Sequence, residues 1–175
     1  MTLSSPATRT RYVGSPAWEY ADDMAYAASE ARQELLDTVA EATDELGEAL
    51  ASLGAAYEQL DEESGDRLEQ QLFRPVQAAY GRARRTHAAF ASRHGLPDRT
   101  FEPAAAGAPS HGVRGFLDLA LEAVERADGT LAELQDSMRP VEVGDAELRA
   151  GLAGVRELIG PLPDRARELL RRWGR

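Results

Sequence analysis

Apolar residues recur along this chain with a helical period, and they do so four times. Leu36, Val39, Thr43, Leu46, Leu50, Leu53, Tyr57 and Leu60 are spaced 3, 4, 3, 4, 3, 4 and 3 residues apart, and only Thr43 among them is polar. Such a run forms a stripe along one side of a helix. The phase fails beyond Leu60, where continuation would bury Ser64, Arg67 and Gln71. The polar stretch "DEESGD" over 61–66 therefore reads as a turn. A second stripe runs through Leu68, Leu72, Val76, Tyr80, Ala83, His87, Phe90 and His94, with Pro75 inside it. Gly95 and Pro97 end it, glycine just past the last turn and proline beyond. A third stripe, Val113, Leu117, Ala120, Val124, Ala127, Leu131, Leu134 and Met138, stops at Pro140. The fourth runs through Leu148, Leu152, Val155, Ile159, Leu162, Ala166, Leu169 and Trp173, with Asp145 as its N-cap. It keeps phase across "GPLP" (160–163), which predicts one bent helix or two stacked short ones.

No alternating strand pattern of useful length accompanies these stripes. The fold class they predict is all-α: an antiparallel four-helix bundle with helices over 16–62, 66–94, 111–138 and 145–173. Ser15 and Pro16 suit the N-cap and first turn of the first helix, and Ser110 suits the start of the third. Residues 1–14 read as a loose tail and 15–175 as one helical domain. The Pro/Gly/Ala-rich connection over 96–110 is longer than most helix–helix loops, as a crossover along the bundle would need to be. The first helix is also too long for its partners. Its early part, "AWEYADDMAYAASEARQE", overhangs and carries Trp18, Tyr20, Met24 and Tyr26 among alanines. It either folds back onto the bundle end or projects to meet a protein partner or a second copy.

Composition narrows the chemistry. The chain of 175 residues has no cysteine, which removes disulfides, thiolate nucleophiles and cysteine-based metal sites. Its basic residues are all arginine, so Schiff-base and P-loop lysines are absent too. Arginine without lysine in an alanine-rich chain suggests a GC-rich bacterial genome. The net charge of −10 disfavours nucleic acid, and the two arginine clusters, Arg82/Arg84/Arg85 and Arg165/Arg167/Arg171/Arg172/Arg175, read as solvated helix faces. No apolar run is long enough to span a membrane, and the N-terminal segment has no apolar signal-peptide core. The expected compartment is the cytoplasm.

His87 and His94 offer the one suggestion of chemistry. They stand seven residues apart, about 10.5 Å along a helix, too far to share one metal ion. The Glu-x-x-His motif of di-metal bundles is missing, since Arg84, Ala91 and Ala108 lie three residues before His87, His94 and His111. His87 therefore reads as a partly buried residue with a hydrogen-bond partner, and His94 as a solvent-facing residue of the last turn. No catalytic constellation, metal or cofactor is expected, and the chain does not read as an enzyme. The leading expectation is a non-catalytic protein-interaction or scaffold module. A small-ligand-binding bundle is the alternative, with its pocket near Tyr80, His87 and the proline bends. The spacing Tyr57–Asp61 and Tyr26–Glu30 resembles the Tyr-x-x-x-acid signal of helical-hairpin substrates of actinobacterial type VII secretion, without their Trp-x-Gly turn. A signal-less secreted helical substrate is thus the third expectation.

Overall fold

The computed structural model describes residues 17–108 and 111–173, and for 17–23 the backbone alone. The expected tail over 1–14, the start at Ser15-Pro16 and Ser110 lie outside the described residues. The chain is all-helical, with no strand among the described residues.

Helix α1 (Ala17–Tyr57) is one helix of 41 residues, roughly 60 Å long at about 1.5 Å per residue. It ends before the predicted boundary at 62. The turn lies at 58–61, ahead of the expected 61–66, because Asp61 acts as an N-cap. The Asp61 carboxylate accepts from the Ser64 N–H and Oγ, each at 3.0 Å. Helix α2 (Glu62–Leu68) therefore starts four residues earlier than the predicted 66, with Gly65 inside it. Tyr57 leaves the stripe and covers that glycine, half-exposed, its Cε2 3.0 Å from where a Cβ would stand.

Helix α2 continues through a π-helical turn (Glu69–Phe73) into α3 (Arg74–His94). The π-turn sits immediately before Pro75 for a physical reason. Proline donates no N–H, and its ring crowds the carbonyl one turn earlier. Widening the turn so that the Arg74 N–H reaches the Glu69 carbonyl accommodates both and keeps the helix running. Gly95 closes α3 in the left-handed region (φ 65°), and the Leu96 N–H returns to the Ala91 carbonyl at 2.9 Å.

Helix α4 (Gly112–Asp136) stops two residues before the predicted 138. Met138 takes φ 61°, leaves the stripe and is 53% exposed. A single turn, α5 (Arg139–Glu142), precedes α6 (Ala146–Ile159), whose N-cap is Asp145. The fourth predicted helix is two, α6 and α7 (Leu162–Trp173), divided at Gly160-Pro161. Both halves bury the same stripe: Leu148, Leu152, Val155 and Ile159 on α6, then Leu162, Ala166 and Leu169 on α7.

Helix α1 packs on α3 and α4, α3 on α6, and α4 also meets α6 and α7. The buried residues from Leu35 to Leu169 form one contiguous apolar cluster. Thr43, the polar exception, is fully buried without an orphan hydroxyl: its Oγ1 donates to the Val39 carbonyl at 2.7 Å. Tight helix contact is seen where α6 meets α3. A Cβ on Gly151 would lie 2.6 Å from Thr86 Cγ2, and one on Gly154 would lie 2.9 Å from Arg82 Cζ.

Candidate functional site

The connection after α3 runs from Gly95 toward the start of α4, where Gly107 approaches His111 and Leu119. On the way it covers His87. Phe101, itself buried, meets the His87 ring edge-on at 5.1 Å. Asp98 places Oδ1 3.4 Å from His87 Nδ1. Arg99 lies over the Phe101 ring at 5.0 Å and bonds Asp44 of α1 at 2.7 Å. One short stretch thus fastens to two helices.

His87 is only 2% exposed, more buried than the sequence suggested, and Nδ1 makes no well-aligned hydrogen bond. Burial lowers its pKa below the usual 6.5; Asp98 opposes that, and Arg99 adds to it. The imidazole is thereby held toward its neutral form. His94 differs from its expected solvent-facing place. It is 21% exposed, tilts onto Phe90 at 4.5 Å and reaches Asp145 through Nε2 at 3.0 Å.

Asp145 gathers this end of the molecule. Its carboxylate caps α6 by accepting the Leu148 N–H at 2.7 Å, and receives Arg93 at 2.8 and 2.9 Å. Burial pushes its pKa up, but the Leu148 N–H, Arg93 and His94 outweigh that and hold it below 3.8. Arg93 extends further to Glu147 at 2.7 Å. Arg93 ties Asp145 and Glu147 together across α3 and α6, and Arg93 and Glu147 also line a groove that continues to Arg82 and Arg85.

Tyr80 is half-buried against the core, with the Arg84 guanidinium 5.5 Å above its ring. The structure does not join Tyr80 and His87 in a pocket. A groove of about 300 Å³ lies beside them, lined by Gly81, Arg84, Arg85, Ala88, Asp98, Arg99 and Phe101, and neither residue lines it. At the proline bends the apolar gap among Leu53, Leu72, Val76, Leu117 and Leu162 has a volume of about 10 Å³. That is room for about one water. Among the described residues no group of three or more His, Asp or Glu side chains converges to hold a metal ion. No helix among them is long and apolar enough to cross a membrane.

No protein-family model matches this chain, nor does any curated protein or solved structure. The residues themselves carry the functional reading.

The remaining candidates lie on α1. Trp18 and Tyr20 fall on its helical backbone, their side chains outside the described ones. Met24 and Tyr26 are 73% and 70% exposed, and every residue from 24 to 30 is exposed. Burial begins at Leu35. Residues 24–30 of α1 therefore form a stretch of helical arm without packing of its own.

Sequence reasoning missed Asp98, Arg99 and Phe101. Phe101 was the signal available, a lone aromatic in a connection dominated by Pro, Ala and charged residues. It also read Asp145 only as a cap; its pairing with Arg93 and His94, some fifty positions away, has no local signature.

Proposed function

We propose that the protein is an antiparallel four-helix bundle acting as a non-catalytic protein-interaction or scaffold module, with the α1 arm as its contact element. The bundle reading is supported by pairs that run in opposite directions along neighbouring helices. Arg126 of α4 reaches Glu48 of α1, while Arg139, further along the chain, reaches the earlier Glu34. Gly151 and Gly154 approach Thr86 and Arg82 in the same inverse order. In this arrangement the 96–108 connection is the crossover that returns the chain to the far end for α4.

The observation that carries the functional reading is the exposure of residues 24–30 on an unbroken helix that bears Met24 and Tyr26. A helix end with no packing of its own opens locally without help from the core. Large apolar side chains on such a stretch gain most from a partner that covers them. The tightly filled core and the ties of Arg93 and His94 to Asp145, which fasten α3 to α6, favour a rigid support over a reactive centre.

The test is a photo-crosslinking residue placed at Tyr26 in the full chain, with the exposed Glu125 of α4 as the control position. A discrete protein adduct through position 26, absent through 125, is the expected result. Equal labelling at both positions, or none at 26, overturns the arm as the contact element.

A further inference from the structure

Most arginines of the helical body hold a carboxylate: Arg93, Arg99, Arg126, Arg139 and Arg156 each do. Arg82, Arg84 and Arg85 on α3 have none within salt-bridge distance among the described residues, and all three are exposed. They form a ridge between two grooves. One is the 300 Å³ groove toward the crossover; the other, about 370 Å³, lies toward α6 and is lined by Arg82, Arg85, Thr86, Arg93 and Glu147 among others. Arg85 borders both grooves, with Arg82 on the side toward α6 and Arg84 on the side toward Tyr80. In a chain of net charge −10, three guanidinium groups without a carboxylate on one outer face are a local field of the opposite sign.

The arm has the complementary charge. Residues 17–31 contain Glu19, Asp22, Asp23 and Glu30 and no basic residue. They also contain Trp18, Tyr20 and Tyr26, ring types on which guanidinium groups stack. The arm cannot reach the ridge of its own chain, because α1 is one continuous helix that leads away from it.

We propose that the arm of one copy lies along the Arg82/Arg84/Arg85 ridge of a second copy, and that the contact is reciprocal about a two-fold axis. This rests on the arm being the contact element. The lengths agree with it. Gly47 faces Tyr80 and Tyr57 faces Gly65, so α1 descends as α3 rises, which brings the base of the arm level with His94. From Ala31 to Asp22 the arm rises about 14 Å, and from His94 to Arg85 α3 descends about 14 Å. Ala31 to Glu19 and His94 to Arg82 are each about 18 Å. Two bodies meeting at this end would set Asp22 level with the partner's Arg85, and Glu19 level with the partner's Arg82. A two-fold axis makes the contact twice, which doubles the contribution of each pairing.

Sedimentation velocity on the full chain tests this with charge reversal. The wild type is expected to dimerise, and the dimer to weaken as salt is raised. Arg82→Glu/Arg84→Glu/Arg85→Glu and Glu19→Arg/Asp22→Arg/Asp23→Arg are each expected to weaken it by at least about tenfold, with helicity by circular dichroism unchanged. Mixing the two variants restores opposite charges at both contacts, and a heterodimer is expected. A dimer that survives ridge reversal overturns the docking site; if Met24→Glu/Tyr26→Glu then abolishes it, the arm reading stands without the ridge. A wild type that stays monomeric at high micromolar concentration overturns the second copy as partner, and an adduct with another protein through position 26 would separate that failure from failure of the arm reading.

Discussion

His87 shows how a single side chain can record the environment built around it. Its ring is closed in by Phe101 and approached by Asp98, Arg99 and, at longer range, Asp37. With a folded pKa below 6.5, the folded imidazole is neutral where the unfolded one begins to take a proton. Stability from this group is complete above about pH 6.5 and is lost as pH falls toward the lower folded value, at no more than about 1.4 kcal/mol per pH unit. Glu45 works in the other direction. Burial raises its pKa, with Glu41 and Glu48 adding to that and Arg126 opposing it, so the folded state holds the extra proton. Comparing wild type with His87→Gln isolates the histidine. Urea unfolding between about pH 5 and 7 should show a steeper loss toward acid for the wild type. Parallel curves would mean that His87 titrates as freely folded as unfolded.

Two glycines one turn apart make a second comparison among residues. A methyl on Gly151 would press on Thr86, a short β-branched side chain at the α3–α6 contact, while one on Gly154 meets the tip of the long, exposed Arg82. Both changes gain about 1 kcal/mol of helix propensity. Gly151→Ala should nonetheless lose stability, since overpacking costs about 1–3 kcal/mol. Gly154→Ala should be neutral or stabilising, because Arg82 can swing aside. Thermal melts of both variants check this, and equal behaviour would show that α3 and α6 are not seated as described.

Among the elements, the stripes are what the sequence expressed most legibly. Leu117, Ala120, Val124, Ala127, Leu131 and Leu134 are all buried on α4, as the period requires. Leu131→Ala should therefore cost about 2–5 kcal/mol. Glu133→Ala, exposed two residues away, should stay within about 0.5 kcal/mol. Chemical denaturation of both variants checks the phase of the helix. Element ends were less legible, because they depend on choices among neighbouring candidates. Asp61 capturing Ser64 moved a turn that Gly65 and the polar run had placed later. The π-turn before Pro75 is a change of helical type that the stripe does not signal. The cover over His87 was illegible for another reason: it joins Asp98 and Phe101 to a residue more than ten positions earlier, and periodicity reports only on one helix at a time.

At the scale of the whole molecule, the proposed function places stability and recognition in different parts. The core ends near Leu35, and the arm beyond it contributes no buried side chain from Met24 to Glu30. Substitutions there should leave the melting temperature in dilute solution unchanged, whereas association should be sensitive to them. Hydrogen exchange resolves the same division residue by residue. In dilute solution the amides of 24–30 should exchange far faster than those of 36–53 on the same helix, since an unpacked helix end opens locally without unfolding the body. Raising the concentration should protect 24–30 alone if a second copy covers them, and the Arg82/Arg84/Arg85 reversal should remove that protection while leaving 36–53 as they were. Uniform protection along α1 at every concentration would instead mean that the arm is stabilised within its own chain, and the separation of support from contact would fall with it.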